Sequence, residues 1–131
     1  MADKRAKPLI LHIDDDDENR MLVRIALTTI GVDVVGLPNG VVGVQAAAKD
    51  LPDLILLDIE MVGFSGFEAL DHLKKNPKTA SIPVMMMSSL ARMSDVEKAL
   101  ANGAESYITK PFDVARLCGK VRKLLDSKKQ A

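Results

Sequence analysis

A single cysteine in 131 residues excludes an internal disulfide. With no CxxC and no His/Cys cluster there is also nothing to hold a structural zinc. Neither charge sign is in excess: 18 basic residues balance 18 acidic ones, so nothing overall points to nucleic acid or a membrane surface. No apolar run approaches the roughly 20 residues that cross a bilayer, and no signal-peptide apolar segment follows the charged start MADKRAKP. What remains is an ordinary globular composition, 47% hydrophobic and 27% charged, long enough for a proper core. The expectation is a soluble, cytoplasmic, single domain.

Short apolar runs alternate with longer amphipathic ones. PLILHI reads as a strand, and ENRMLVRIALTTIG as a helix with Met21, Leu22, Ile25 and Ile30 near helical spacing, stopped by Gly31. VDVVGL is a second strand, NG a turn and VVGVQAAAKD a helix. DLILLD is apolar throughout, as a parallel strand covered on both faces would be. GFEALDHLKKN places Phe67, Leu70 and Leu73 on one face and ends before Pro77. IPVMMMSS is a fourth strand, SDVEKALANG a helix with a Ser cap and a Gly stop, and SYITK a fifth strand. DVARLCGKVRKLL closes the chain with a stripe of Val114, Leu117, Cys118, Val121 and Leu124 or Leu125. Five βα units predict an α/β fold, a doubly wound, five-stranded parallel sheet flanked by helices.

Such sheets place their sites at the carboxyl ends of the strands. Asp14 and Asp15 follow the first run, Asp58 ends the third, Ser88 and Ser89 the fourth, and Lys110-Pro111 the fifth. Carboxylates with a backbone carbonyl suit Mg²⁺, which takes few protein ligands and keeps several waters. A hydroxyl and an ammonium beside them suit phosphoryl oxygens, and a carboxylate can itself be the nucleophile. Of the aspartates in IDDDDENR, Asp14 and Asp15 are assigned to a cation and Asp16 to a solvated loop. Asp17 and Glu18 fall to the next helix's N-terminus, where the dipole favours acid.

Four stretches in this order, ILHIDDD, DLILLDIEM…SG, IPVMMMSS and GAESYITKPF, closely resemble the receiver domain of two-component response regulators. The resemblance covers residues 8 to about 126 and leaves short tails at 1–7 and 127–131. It implies a flavodoxin-like receiver fold of the stand-alone, single-domain type. It also implies a phosphorelay switch in which Asp58 accepts a phosphoryl group from a phosphohistidine. Asp15, Asp58 and the backbone carbonyl of Glu60 would bind Mg²⁺ directly, and Asp14 through metal-bound water. Lys110 would pair with Asp58 and then with a phosphoryl oxygen, helped by Ser88 and Ser89. Tyr107 would be the switch aromatic that turns inward as Ser88 shifts, and Pro111 would follow a cis bond that aims Lys110. The partners implied are a sensor histidine kinase or histidine phosphotransfer protein, met through the first helix and nearby loops. A downstream protein would be met through about residues 94–126. The family often has proline where this chain has Val62, so that loop is expected to be looser or differently shaped. Glu60 and Leu90 occupy positions that flank the phosphoryl group in relatives and are expected to set its lifetime.

Two other functions compete. DIEMV approximates the D-x-D-x-T/V of haloacid-dehalogenase-like phosphatases, but there the nucleophile follows the first strand and the acid pair comes last. A receiver-like binding module that works without phosphorylation would not need Asp14, Asp15, Asp58, Ser88 and Lys110 intact. Elsewhere the plain readings prevail: His12 is a satisfied structural histidine, His72 belongs to a polar helix face, Cys118 is core, and Met85, Met86 and Met87 fill a buried strand.

Overall fold

A computed structural model describes residues 5–89 and 92–130. The chain alternates β1 (Leu9–Ile13), α1 (Asp17–Thr28), β2 (Asp33–Leu37), α2 (Gly40–Asp50), β3 (Leu54–Asp58), α3 (Gly66–Lys75), β4 (Val84–Ser88), α4 (Met93–Ala101), β5 (Ser106–Thr109) and α5 (Val114–Gln130). All strand pairs are parallel, and the sheet order is β2-β1-β3-β4-β5. The order reverses between β1 and β3, and a crevice opens there because successive crossovers leave to opposite faces.

Side chains alternate across the pleat, so each strand feeds two cores. Leu11, Ile13, Ile55, Leu57, Val84, Met86 and Tyr107 pack with residues of α2, α3 and α4. Ile10, Leu54, Leu56, Met85, Met87 and Ile108 pack with those of α1 and α5. By the same alternation Asp14, Asp58 and Lys110 fall on the α1/α5 side, and Ser88 on the Tyr107 side.

The helix boundaries have local causes. Ser65 and Glu68 form a reciprocal capping box at α3, and α3 stops at Lys75, directly before Asn76-Pro77. Asn39 accepts the Val42 N–H at 2.9 Å, so the NG pair caps α2 rather than making a separate turn. Asp16, exposed and outside the helix as expected, also caps α1 through the Glu18 N–H. Ser94 lies inside α4, whose N-cap is Arg92. Gly103, at φ +104°, makes the expected stop, letting the Ala104 N–H return to the Ala99 carbonyl at 3.0 Å.

One apolar stripe is rotated from its expected phase. Met21, Leu22 and Ile25 are each 59% exposed, while Val23, Ala26 and Leu27 are buried and Ile30 packs against them. Residues 23, 26, 27 and 30 have the i, i+3, i+4, i+7 spacing of a single face. Helix α1 therefore carries more apolar surface than its core uses, and the surplus faces outward. Val114 is exposed for a different reason: it shares the stripe of the buried Leu117, Cys118, Val121 and Leu125 but is the first residue of α5. No helix among the described residues is long and apolar enough to cross a membrane.

Candidate functional site

The ends of β1 and β3 bring Asp14, Asp15 and Asp58 together, with one carboxylate oxygen of each within 4.8 Å of the others. Asp14 and Asp58 are buried, at 0% and 2% exposure. Asp14 Oδ1 accepts the Asp16 N–H at 2.9 Å. From β5, beyond the intervening β4, Lys110 Nζ donates to Asp58 Oδ1 at 2.9 Å. The Lys110–Pro111 peptide is cis. Gly66 lets α3 begin against the end of β3: a Cβ there would lie 2.4 Å from the Asp58 carbonyl oxygen.

Burial drives the Asp58 carboxyl up to about 6; Lys110 opposes this and Asp14 adds to it. Burial also resists ionisation of Asp14, but His12, the Asp16 amide and Lys110 outweigh it and hold the carboxyl below its usual value. The Lys110 ammonium is pushed above its ordinary range: burial works against the charge, and the bond to Asp58 and the surrounding acids prevail.

Three negative charges thus meet one ammonium, and Asp14 Oδ2 is buried with no hydrogen-bond partner. A buried carboxylate oxygen without a hydrogen bond, in a residue grouped with two further carboxylates, is a poor arrangement for protein alone. It fits a hard divalent cation with oxygen ligands, of which Mg²⁺ is the small, water-retaining kind.

Four features were not foreseen. The Glu60 side chain, itself exposed, accepts from Ser88 Oγ at 2.6 Å, from Ser89 Oγ at 2.9 Å and from the Ser89 N–H at 3.2 Å. The Val62 N–H donates to Asp15 Oδ2 at 3.1 Å. A proline could not make that bond, so the substitution ties the loop to the acidic pair instead of loosening it. Arg20 clamps the same region, donating to the Asp14 carbonyl and the Asp17 carboxylate. Finally, His12 is fully buried but not satisfied: neither ring nitrogen makes a hydrogen bond, and Nε2 lies 3.4 Å from Asp14 Oδ2. Sequence offered one signal, a histidine at an inward position of an otherwise apolar strand.

Tyr107 is already buried, 9% exposed, in the α2/α3/α4 core. Met85, Met86 and Met87 fill the buried strand as expected. Cys118 is core, with its thiol donating to the Ala26 carbonyl at 3.6 Å. Leu90 lies outside the described residues. Beside the acids, a groove of about 610 Å³ runs between α1 and α5, lined by Leu22, Ile25, Pro111, Phe112 and Val114 with Asp14 and Lys110 at its end.

A parallel doubly wound sheet thus gathers three acids at its switch point, with a lysine reaching across from its edge strand. The chain belongs to the response regulator receiver domain family, whose model matches residues 10–122. It is 40% identical over 118 residues to the DNA-binding dual master transcriptional regulator RpaA of Synechocystis sp., covering 90% of this chain and 49% of that protein. It is 38% identical over 115 residues to the response regulator PleD of Caulobacter vibrioides, covering 88% of this chain and 25% of that one. The chain therefore spans half or less of the length of these relatives. Among solved structures, the response regulator domain of Thermotoga maritima CheB superposes with a TM-score of 0.81 at 31% identity, covering 92% of this chain and 97% of that one. Membership sets aside the phosphatase reading, since a receiver is a signalling domain of phosphorelays. Histidine kinases or phosphotransfer proteins, and downstream targets, are the partners that its class implies.

Proposed function

We propose that this domain is a phosphorylation-dependent switch that accepts a phosphoryl group on Asp58. The observation that carries the reading is Asp58 itself: a buried carboxylate at a strand end, bonded to Lys110 and crowded by Asp14 and Asp15. One Asp58 oxygen attacks the phosphorus of a phosphohistidine. The P–N bond breaks, its electron pair leaves with the imidazole nitrogen, and an acyl phosphate remains on Asp58. Such transfers depend mainly on positioning and charge neutralisation. Asp15, Asp58 and the Glu60 carbonyl would hold Mg²⁺, with Asp14 acting through its water, and the ion would supply charge neutralisation. Lys110 passes from Asp58 Oδ1 to a phosphoryl oxygen. Ser88 and Ser89 donate to the other oxygens, and the movement of Ser88 is felt at Tyr107. A segment bearing the donor histidine fits the apolar groove beside α1, because Leu22 and Ile25 are exposed there and the groove ends at Lys110 and Asp14. The downstream face is about residues 94–126.

The alternative reading is a receiver-like module that acts without phosphorylation. Intact-mass spectrometry after incubation with acetyl phosphate separates the two. The switch requires one phosphoryl adduct that forms with Mg²⁺, is lost with EDTA and is absent from Asp58→Asn. A folded protein that takes no adduct from intact donor supports the second reading.

A further inference from the structure

The donors assigned to the phosphoryl group already have an acceptor. Ser88 Oγ, Ser89 Oγ and the Ser89 N–H all converge on the Glu60 carboxylate, and the Ser89 N–H lies 3.2 Å from each of its oxygens. A hydroxyl carries one proton, so Ser88 cannot serve Glu60 and a phosphoryl oxygen at once. Bonds from neutral donors to an ionised acceptor are the strong kind. The Ser88 hydroxyl is fully buried, whereas Glu60 and Ser89 are exposed.

We propose that the Glu60 carboxylate is a latch: it stands in for the phosphoryl oxygens in the resting chain, holds Ser88 and Ser89, and must be displaced before the switch can turn. The inference rests on Asp58 being the acceptor. It extends that reading by naming what opposes the phosphorylated state and by giving the Glu60 side chain a role separate from its carbonyl. A phosphoryl group on Asp58 brings three acceptor oxygens and a charge near −2. It therefore competes for the same protons and repels the carboxylate as well. Release of Glu60 frees Ser88 on the Tyr107 side of the sheet, so the latch joins the acceptor to the switch.

The test is a titration with beryllofluoride, a phosphoryl mimic, in Mg²⁺. Binding is followed by the amide resonances of Ser88 and Ser89 in the wild type, Glu60→Ala, Glu60→Asp and Asp58→Asn. Losing the competing acceptor should tighten binding about tenfold in Glu60→Ala. Glu60→Asp keeps the charge but is one methylene too short for the 2.6 Å bond, and should behave like Glu60→Ala. Equal affinity in wild type and Glu60→Ala overturns the latch while leaving Asp58 as acceptor. Tightening in Glu60→Ala with wild-type affinity in Glu60→Asp overturns it too, because plain charge repulsion then explains the effect. If the wild type binds no better than Asp58→Asn, the acceptor assignment fails and the latch fails with it.

Discussion

Lys110 Nζ reaches Asp58 Oδ1 at 2.9 Å from a strand that is not Asp58's neighbour, with β4 lying between them. The pair ties an ammonium to the acidic cluster, and it does not cancel the cost of burying Asp58. That imbalance sets the pH behaviour of the domain.

In the metal-free protein, Asp58 holds its proton to about pH 6, against an ordinary value of 3.8. Its stability contribution is therefore fully present below about pH 4, is lost as pH rises toward 6, and is level above that. A gap of this width corresponds to about 3 kcal/mol. Asp14 and Glu60, held below their usual values, work in the opposite sense and lose stability as pH falls. The measurement is thus a difference: denaturant unfolding in EDTA from pH 4 to 7, wild type against Asp58→Asn. The wild type should lose stability relative to the variant as pH rises through this window. Mg²⁺ should reduce or reverse that loss, because a divalent cation favours the carboxylate.

Lys110→Ala removes the main influence that lowers the Asp58 carboxyl. Its titration should move above 6, and phosphoryl acceptance from acetyl phosphate at pH 7 should fall by about tenfold, recovering as pH is raised. The adduct that does form should leave the Ser88 and Tyr107 amide resonances near their resting positions. A rate unchanged between pH 6 and 8, or a normal shift at Tyr107, would show that Lys110 serves neither step.

The fold was legible because each element announced itself locally: the doubly covered strand Leu54–Asp58 reads as a continuous apolar run, and Gly103 and Pro77 end their helices. The site was legible through one rule, that parallel strands deliver their last residues to one edge, which gathers Asp14, Asp58, Ser88 and Lys110. What escaped was of another kind. The phase of α1 was ambiguous because seven apolar residues give two overlapping stripes, although the spacing of Val23, Ala26, Leu27 and Ile30 held the answer. The Glu60 latch and the bond from the Val62 amide to Asp15 depend on how a loop folds back over strands distant in sequence. No local pattern encodes that.

Gly66 sits where its α-hydrogen faces the Asp58 carbonyl, and an added Cβ would meet backbone at 2.4 and 2.6 Å. Neither contact is the far end of a flexible side chain, so the helix start or the end of β3 must move. Gly66→Ala should cost about 1–3 kcal/mol, and phosphoryl acceptance should drop further than the folded fraction does, because the clash falls on the acceptor residue itself. Denaturant unfolding and acetyl phosphate labelling of the same samples check this. Labelling that simply tracks the folded fraction would place the strain away from Asp58.

The exposed apolar face of α1 yields a prediction that separates docking from chemistry. Leu22 and Ile25 bury little surface in this chain, so Leu22→Asp and Ile25→Glu should each shift stability by no more than about 0.5 kcal/mol. They should leave the rate of labelling by acetyl phosphate unchanged, since that donor needs only the acids and Lys110. Transfer from a phosphohistidine protein is different. An apolar groove running to Lys110 and Asp14 excludes water around a docked segment, and a charge placed in its wall would be desolvated without a partner. Transfer from a cognate phosphotransfer protein should therefore slow at least tenfold in either variant. Equal transfer rates with wild type would move the donor's approach off α1, without touching Asp58 as the acceptor.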